Sequence, residues 1–449
     1  MSYESLLTEE PKKTNFRWVI VSILFFATAI NYADRTVLSI AGPALAKSLD
    51  LNSVSMGYIF SAFGWSYVLA QLPGGWLLDR FGSRKIYAIS LFTWSFFTFL
   101  TGFTGLFAGF TAVVVLFSLR FLLGIAEAPA FPANSRITVA WFPSRETGTA
   151  AAIFNSAQYF ATVLFAPALG YIVHTFGWSW SFFFMGAIGF LFLFVWLKFM
   201  HAPKKSKYIN QAELDYISQG GALVEMDGSR NDSKKQPPKW PYLKQILKTR
   251  MFIGVYIGQY CINAITFFFI TWFPVYLVQA RGMTILKAGF VAVLPAIFGF
   301  IGGNLGGVFS DYLLKKSGSL SIARKVPIVI GMLLSMSMIF CNFTGVEWLV
   351  VALMALAYFG KGIGALGWAV NADTAPKEIT GLSGALFNTF GNMSSIITPI
   401  IIGYIINITG SFNWALVFVS FHAFLAIVSY VFIVGKIERF KLKASGGDN

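Results

Sequence analysis

The chain has 449 residues, 56% of them hydrophobic and only 12% charged, with 48 phenylalanines and a mean hydropathy of +0.67. That balance excludes a soluble globular domain, in which about a quarter of residues are charged, and identifies a polytopic membrane protein. The net charge of +15 raises nucleic acid as a partner, but its cations are confined to alternate loops and so report membrane topology instead.

In chain order, apolar segments recur at 18–41, 55–78, 86–107, 110–135, 149–173, 181–200, 252–277, 286–309, 326–342, 347–372, 381–406 and 413–435. Each approaches the roughly 20 residues that a spanning helix needs, so twelve membrane helices are predicted. The first follows a charged tail, 1–17, is too long for the apolar core of a signal peptide and lacks a small-residue cleavage site; it is expected to stay in the mature protein. Cys261 and Cys341 both fall in apolar segments, which implies packing residues and no disulfide framework.

Lys12, Lys13 and Arg17 precede the first segment, and Arg80, Arg84 and Lys85 follow the second. Arg145 follows the fourth, Lys204, Lys205, Lys207, Lys234, Lys235 and Lys239 the sixth, and Lys315, Lys316, Arg324 and Lys325 the eighth. Lys377 follows the tenth, and Lys436, Arg439, Lys441 and Lys443 lie in a tail at 436–449, whereas the opposite loops hold little beyond Lys47, Arg281 and Lys287. This asymmetry predicts cytoplasmic termini.

The stretch 201–250 interrupts the apolar pattern with sequence such as GSRNDSKKQPP, Gly228 to Pro238, and reads as a cytoplasmic linker between bundles at 18–200 and 251–435. A short helix is expected within it at NQAELDYI, Asn210 to Ile217, with no chemistry assigned. The flanking sequences match each other: Pro43 with Pro274, Gly57 with Gly289, Gly75 with Gly307, Asp79 with Asp311, Arg145 and Glu146 with Lys377 and Glu378, Phe154 and Asn155 with Phe387 and Asn388, and Gly170 with Gly403, at offsets of 231 to 233. Two such halves are parallel repeats about an axis along the membrane normal.

This layout resembles the major facilitator superfamily. The most specific local evidence is GWLLDRFGSRK, which is similar to that family's loop motif through Gly75, Asp79, Arg80, Gly82, Arg84 and Lys85; its second copy, Gly307 to Asp311 with a later Ala323 to Lys325, is degraded. The glycines would admit close helices and a tight turn, and Asp79 with the cations would form a conformational latch near the helix ends. The implied fold is all-α, with two six-helix bundles related by a pseudo-twofold axis.

Ionisable residues inside the segments are few: Asp34, Arg35, Arg120, Glu127 and Lys361, with Asp373 near a segment end. Each costs about 2.5–3.5 kcal/mol at a helix centre, so a shared polar cavity is expected, with a structural ion-pair network as the competing reading. Asp34 and Arg35, adjacent on a helix, project about 100° apart and need separate partners. Arg120 and Glu127 are seven apart on one face, and the rise along opposed helices puts Asp34 nearest the depth of Arg120, so an Asp34–Arg120 pair is expected. Pro129 frees the carbonyl of Ile125 and makes a polar neighbourhood around Glu127 necessary; a substrate carboxylate that captures an arginine would release Glu127 to take a proton. Lys361 and Trp368 share a face in FGKGIGALGW, and Asn155 and Asn388 are a repeat-related amide pair, with Gln158 one turn beyond the first.

At NYADR (from Asn31), LRFLLGIAEAPAFPANSR (from Leu119), WFP (from Trp141), FNSAQ (from Phe154), TWFPVYL (from Thr271) and KGIGALGWAV (from Lys361), the sequence resembles the anion:cation symporter family, and within it bacterial D-glucarate and galactarate carriers. The resemblance covers nearly the whole chain. It implies proton-driven import of sugar acids through the bacterial inner membrane, with Arg35 and Arg120 on substrate carboxylate, Asp34 and Glu127 as protonation sites, and Tyr32, Tyr67, Gln158, Trp368 and Asn388 lining the pocket. Lys361 is expected to hold the far carboxylate of an aldarate, because carriers of monocarboxylate sugar acids in the family have a neutral residue there.

No cofactor or metal is expected, the coupling ion being the proton, and the expected functional unit is a monomer in the lipid bilayer without nucleic acid. A uniporter or anion exchanger for other organic anions, such as hexonates or glycerate, has the same fold and is the nearest alternative. A transport-dead sensor would not need an intact loop motif. An enzyme is disfavoured by the lack of H-E-x-x-H and G-x-S-x-G motifs and by the scatter of His174, His201 and His422.

Overall fold

The computed structural model describes residues 13–225, 240–376 and 379–441. Lys12, the stretch 228–238 with Lys234 and Lys235, Lys239, Lys377, Glu378 and Lys443 lie outside the described residues, so the expectations placed on them do too. The first half contains α1 (Phe16–Ser48), α2 (Ser53–Phe81), α3 (Ser83–Leu106), α4 (Gly109–Trp141), α5 (Ser144–Phe176) and α6 (Trp178–Phe199). The second contains α7 (Arg250–Thr271, continued by Phe273–Gln279), α8 (Ile285–Ser317), α9 (Leu320–Phe343), α10 (Glu347–Thr374), α11 (Leu382–Thr409) and α12 (Asn413–Ile433). Among the described residues eleven of these helices are long and apolar enough to cross a membrane. The other, α2, has 29 residues and so a length of about 43 Å.

Within the first half α1 packs on α5, α2 on α4 and α3 on α6; within the second α8 and α9 pack on α10, and α7 on α12. The halves meet along two long seams, α2 against α11 and α5 against α8, with α1 also touching α7 and its continuation. Lipid tails give apolar helices little reason to associate, so close approach depends on residues without bulk. A Cβ on Gly57 of α2 would lie 2.7 Å from the carbonyl oxygen of Pro399, and one on Gly289 of α8 would lie 2.6 Å from that of Ala166. Across the seams, a Cβ on Gly403 would lie 2.5 Å from the Ser53 carbonyl oxygen, and one on Gly170 would lie 3.2 Å from that of Ile285. These four glycines sit at the ends of their helices remote from the N-terminus, where Trp272 Nε1 also donates to the Pro399 carbonyl at 3.1 Å. At the basic end, which carries the N-terminus and the 201–250 connection, Gly75, Gly148 and Gly307 face open space. The seams are thus tight at the far end and apart at the basic end.

The connection forms a helix at Gln211–Gln219, capped by Asn210, whose side chain accepts from Glu213 N. It does more than link. Glu213 is fully buried against the start of α1, where the cap residue Asn15 makes no side-chain cap bond. Its Oε2 accepts from Phe16 N at 2.9 Å and from the Thr14 hydroxyl at 2.6 Å, and its Oε1 accepts from Arg17 N at 3.2 Å and Arg17 Nη1 at 2.9 Å. A carboxylate from one helix therefore caps the exposed N–H groups of another. Arg17 Nε reaches Glu146 of α5 at 2.8 Å, so three segments are held by one buried ion network. Glu213→Ala leaves Arg17 buried with one of its two carboxylate partners and is expected to cost about 3–5 kcal/mol, read as a lowered melting temperature of the solubilised protein.

Candidate functional site

Two helix interruptions position the charged side chains. The α4 helix stops at Glu127 and resumes at Ala130, because Pro129 has no N–H for the carbonyl of Ile125. The α10 helix stops at Ile363 and resumes at Gly367. Glu127 and Lys361 thus stand at corresponding breaks of the two halves. Helices interrupted at membrane depth are tolerated only where they are buried in protein or line a water-filled cavity.

Glu127 is fully buried, and its Oε2 accepts from Arg35 Nη2 at 3.0 Å and Arg35 Nε at 3.2 Å. Arg35 Nη2 also donates to Asn31 Oδ1, one turn earlier on α1, at 2.9 Å. The guanidinium is enclosed by the rings of Phe63, Tyr32 and Tyr67, at 4.4, 4.8 and 5.2 Å, so the aromatic faces supply a cation-binding box. The other carboxylate oxygen of Glu127 has no hydrogen-bond partner. One acid thus holds one base through one oxygen and keeps a second acceptor in reserve.

The expected Asp34–Arg120 pair takes another form. Arg120 Nη1 donates at 2.8 Å to the main-chain carbonyl of Asp34, while both carboxylate oxygens of Asp34 and the Nε and Nη2 of Arg120 have no partner. The depth match between the two helices is real, but Arg120 spans the gap to the backbone and lies 5.6 Å from the ring of Phe182. Asp34 and Arg35 do diverge: the acid is buried inside the first bundle, and the base turns to α2 and α4.

In the second half, Gly360 and Gly362 press against α9 and α8: a Cβ on the first would lie 2.8 Å from Ser335 N, and on the second 2.7 Å from Gly303 N. Lys361 between them is buried, makes no ion pair among the described residues, and holds its ammonium 5.3 Å from the ring of Tyr358. Tyr358, Tyr32 and Gln158 line one cavity of about 40 Å³ between the halves, together with Thr36 and Phe269. A few waters fit there, so room for a larger ligand must come from the basic end, where the seams are apart. Through these two tyrosines the cavity connects Arg35 with Lys361.

The remaining pocket candidates are looser. Gln158 Nε2 donates to the Asn155 carbonyl at 3.2 Å, and Asn388 Oδ1 accepts from Asn392 Nδ2 at 3.0 Å. Trp368 is 54% exposed and meets Phe387 edge-on at 4.9 Å. At the loop motif, Asp79 pairs not with Arg80 or Arg84 but with Arg136 near the end of α4. Arg80 lies over Trp76 and Phe81, and Arg84 Nη2 donates to the Leu197 carbonyl at 2.9 Å. Gly82, at a φ of 83°, makes the turn into α3, whereas a Cβ on Gly75 would meet nothing within 4 Å. The degraded second copy retains charges: Arg324 reaches Asp373 at 2.8 Å and Asp311 at 3.8 Å.

Reading the sequence missed Arg136, Asn31, Phe63 and Tyr358. Asn31 carried a signal, since Asn263 stands 232 positions after it and accepts from Gln259 Nε2 at 3.2 Å in the second half. Arg136, Phe63 and Tyr358 have no such signature.

Comparison with known proteins adds an independent line. The family model described as Major Facilitator Superfamily matches residues 24–323. The chain is 62% identical to the probable galactarate/D-glucarate transporter GudP of Escherichia coli (strain K12), covering 97% of each chain. It is 61% identical to that of Bacillus subtilis (strain 168), over 98% of this chain and 97% of that one. A D-galactonate transporter of Escherichia coli O6:H1 is 38% identical, with coverages of 94% and 96%. Among solved structures, a D-xylose-proton symporter superposes with a TM-score of 0.68 at 15% identity, covering 95% of this chain and 100% of that one, and a bacterial homologue of the lysosomal transporter Spinster with 0.64 at 16%, covering 94% and 95%.

Arg35→Gln, which leaves buried Glu127 without its cation, is expected to destabilise the solubilised protein by about 3–5 kcal/mol at high pH, where the carboxylate stays ionised, and by less at low pH, where it takes up a proton. Adding Glu127→Gln should recover most of that loss, and melting temperatures of the four proteins of this cycle measure it.

Proposed function

The chain belongs to the major facilitator superfamily, and from that premise we propose that it is a proton-coupled symporter importing D-glucarate, galactarate or both across the bacterial inner membrane by alternating access. The observation that carries this reading is the Arg35–Glu127 pair beside the cavity between the halves. The loop charges support placing the basic end in the cytoplasm, and the names of the relatives at about 60% identity support the substrates.

The chemistry follows from the pair. A carboxylate matches the forked guanidinium as well as Glu127 does, so an arriving sugar acid competes for Arg35. Glu127, losing its cation in a buried site, takes up a proton. Lys361 across the cavity receives the second carboxylate of an aldarate, and with Glu127 protonated these groups and the dianion carry no net charge. Proton and substrate then move together because neither leaves the site balanced alone.

The test is uptake into proteoliposomes of radiolabelled glucarate, galactarate, gluconate and glycerate, with and without an inwardly directed proton gradient. The reading expects aldarate uptake driven by the gradient and substrate-driven alkalinisation of the outer medium, lost in Glu127→Gln. Uptake indifferent to the gradient would make the protein a uniporter or exchanger. Lys361→Asn is expected to lower aldarate uptake about ten-fold or more while sparing gluconate, since one charged contact is worth about 1.5–3 kcal/mol. Equal loss for both acids would exclude the two-ended clamp.

A further inference from the structure

With the seams apart at the basic end, both Asp34 and Glu127 are still buried, at 1% and 0% exposure. A proton bound there has no direct passage from the carboxylates to bulk water through the opening between the halves. Inside the first bundle, however, the buried side-chain atoms without a hydrogen-bond partner concentrate between α1, α3 and α4: both oxygens of Asp34, Asn31 Nδ2, Thr98 Oγ1, Trp94 Nε1, Tyr87 OH and Asn134 Oδ1. Unpaired polar groups at membrane depth are costly, and several in one place are the complement of bound water.

Their placement is ordered. Tyr87, Trp94 and Thr98 are spaced by seven and four along α3, so they share one face and span about 16 Å of its length. Thr98 lies beside Asp34, and Asn134 lies beside Tyr87. Tyr87 and Trp94 touch, with ring centroids 5.8 Å apart, and Asn134 Nδ2 ties the file to α1 through Thr28 Oγ1 at 2.9 Å. One turn below Tyr87 and Asn134, at the basic end, lies a cleft of about 20 Å³ lined by Ser83, Arg84, Arg136, Ile137 and His201. The titratable groups that face Asp34 are Arg120 and Glu127 from α4 and Arg35 from its own helix; those that face Tyr87 are Glu127 and, from α2, Tyr67.

We propose that this file, from Asp34 through Thr98 and Trp94 to Tyr87 and Asn134, holds a chain of waters inside the first bundle and conducts protons between Asp34 and the cytoplasmic cleft, separately from the path of the substrate. The inference rests on the symport reading. It gives the two cargoes two exits: the anion leaves between the halves, and the proton leaves within one of them. Hydroxyls and waters relay a proton without a net change in any of them, and the indole N–H of Trp94, a donor only, orients the water beside it.

Thr98→Val and Tyr87→Phe remove one polar atom each and keep the packing. In proteoliposomes, both are expected to slow gradient-driven net uptake and the accompanying proton movement at least several-fold. Counterflow exchange of labelled for unlabelled glucarate, in which the carrier returns loaded and releases no proton, should stay at the wild-type rate. Variants matching the wild type in net uptake, or losing exchange and net uptake equally, would overturn the route. A wild type that moves no protons would overturn the symport reading and the route with it, so the two failures are distinct. Hydroxyl-radical footprinting checks the water itself: Tyr87 and Trp94 should be labelled despite their burial, and Asn134→Leu should suppress that labelling, whereas unlabelled rings in the wild type would exclude a water file.

Discussion

An ion held within a membrane must find its counterion inside the protein, and the contact between Arg35 and Glu127 is where this chain meets that demand. The rest of the first half is arranged around it. The break after Glu127 turns α4 aside, Asn31 steadies the guanidinium from one turn away, and three aromatic rings close over it. The pair is satisfied without being saturated, because one oxygen of Glu127 remains unused. Such a contact leaves an acceptor unspent, which a fully bonded network would not.

The two halves share a scaffold but not a chemistry. The same glycines recur at offsets of 231 to 233 and build both seams, and each half interrupts its fourth helix at corresponding depth. At those breaks the first half places an acid already paired with a base, and the second a lysine with no ionic partner among the described residues. Symmetry thus shapes the scaffold, while the charges at the two breaks differ. The charge motif at the basic end follows the same rule: Asp79 pairs with Arg136 in one half, and in the other Arg324 serves both Asp311 and Asp373.

The helices were legible because twenty apolar residues have few alternatives in a bilayer, and the repeat was legible because glycine and proline spacing survives divergence. The charges of the site were legible by their cost alone. Their partners were not, because a long arginine side chain reaches a backbone carbonyl or a carboxylate about equally well; hence Arg120 on the carbonyl of Asp34 and Arg136 on Asp79. Phe63 and Tyr358 are two aromatic residues among many in a chain with 48 phenylalanines and 17 tyrosines, so nothing local distinguishes them. The helix at Gln211–Gln219 was foreseen, yet its role as a cap on α1 depends on a contact across nearly two hundred residues.

The seam glycines also restrict how the halves can move. Their contacts are backbone against backbone, with Gly57 on the Pro399 carbonyl and Gly289 on that of Ala166. Sliding α2 along α11 by one turn, about 5.4 Å, would bring Ser53 or Ser61 to the place of Gly57 and drive a side chain into that carbonyl. Sliding is therefore opposed at this interface, whereas a rigid-body tilt that lifts Gly57 off the Pro399 carbonyl meets no such clash.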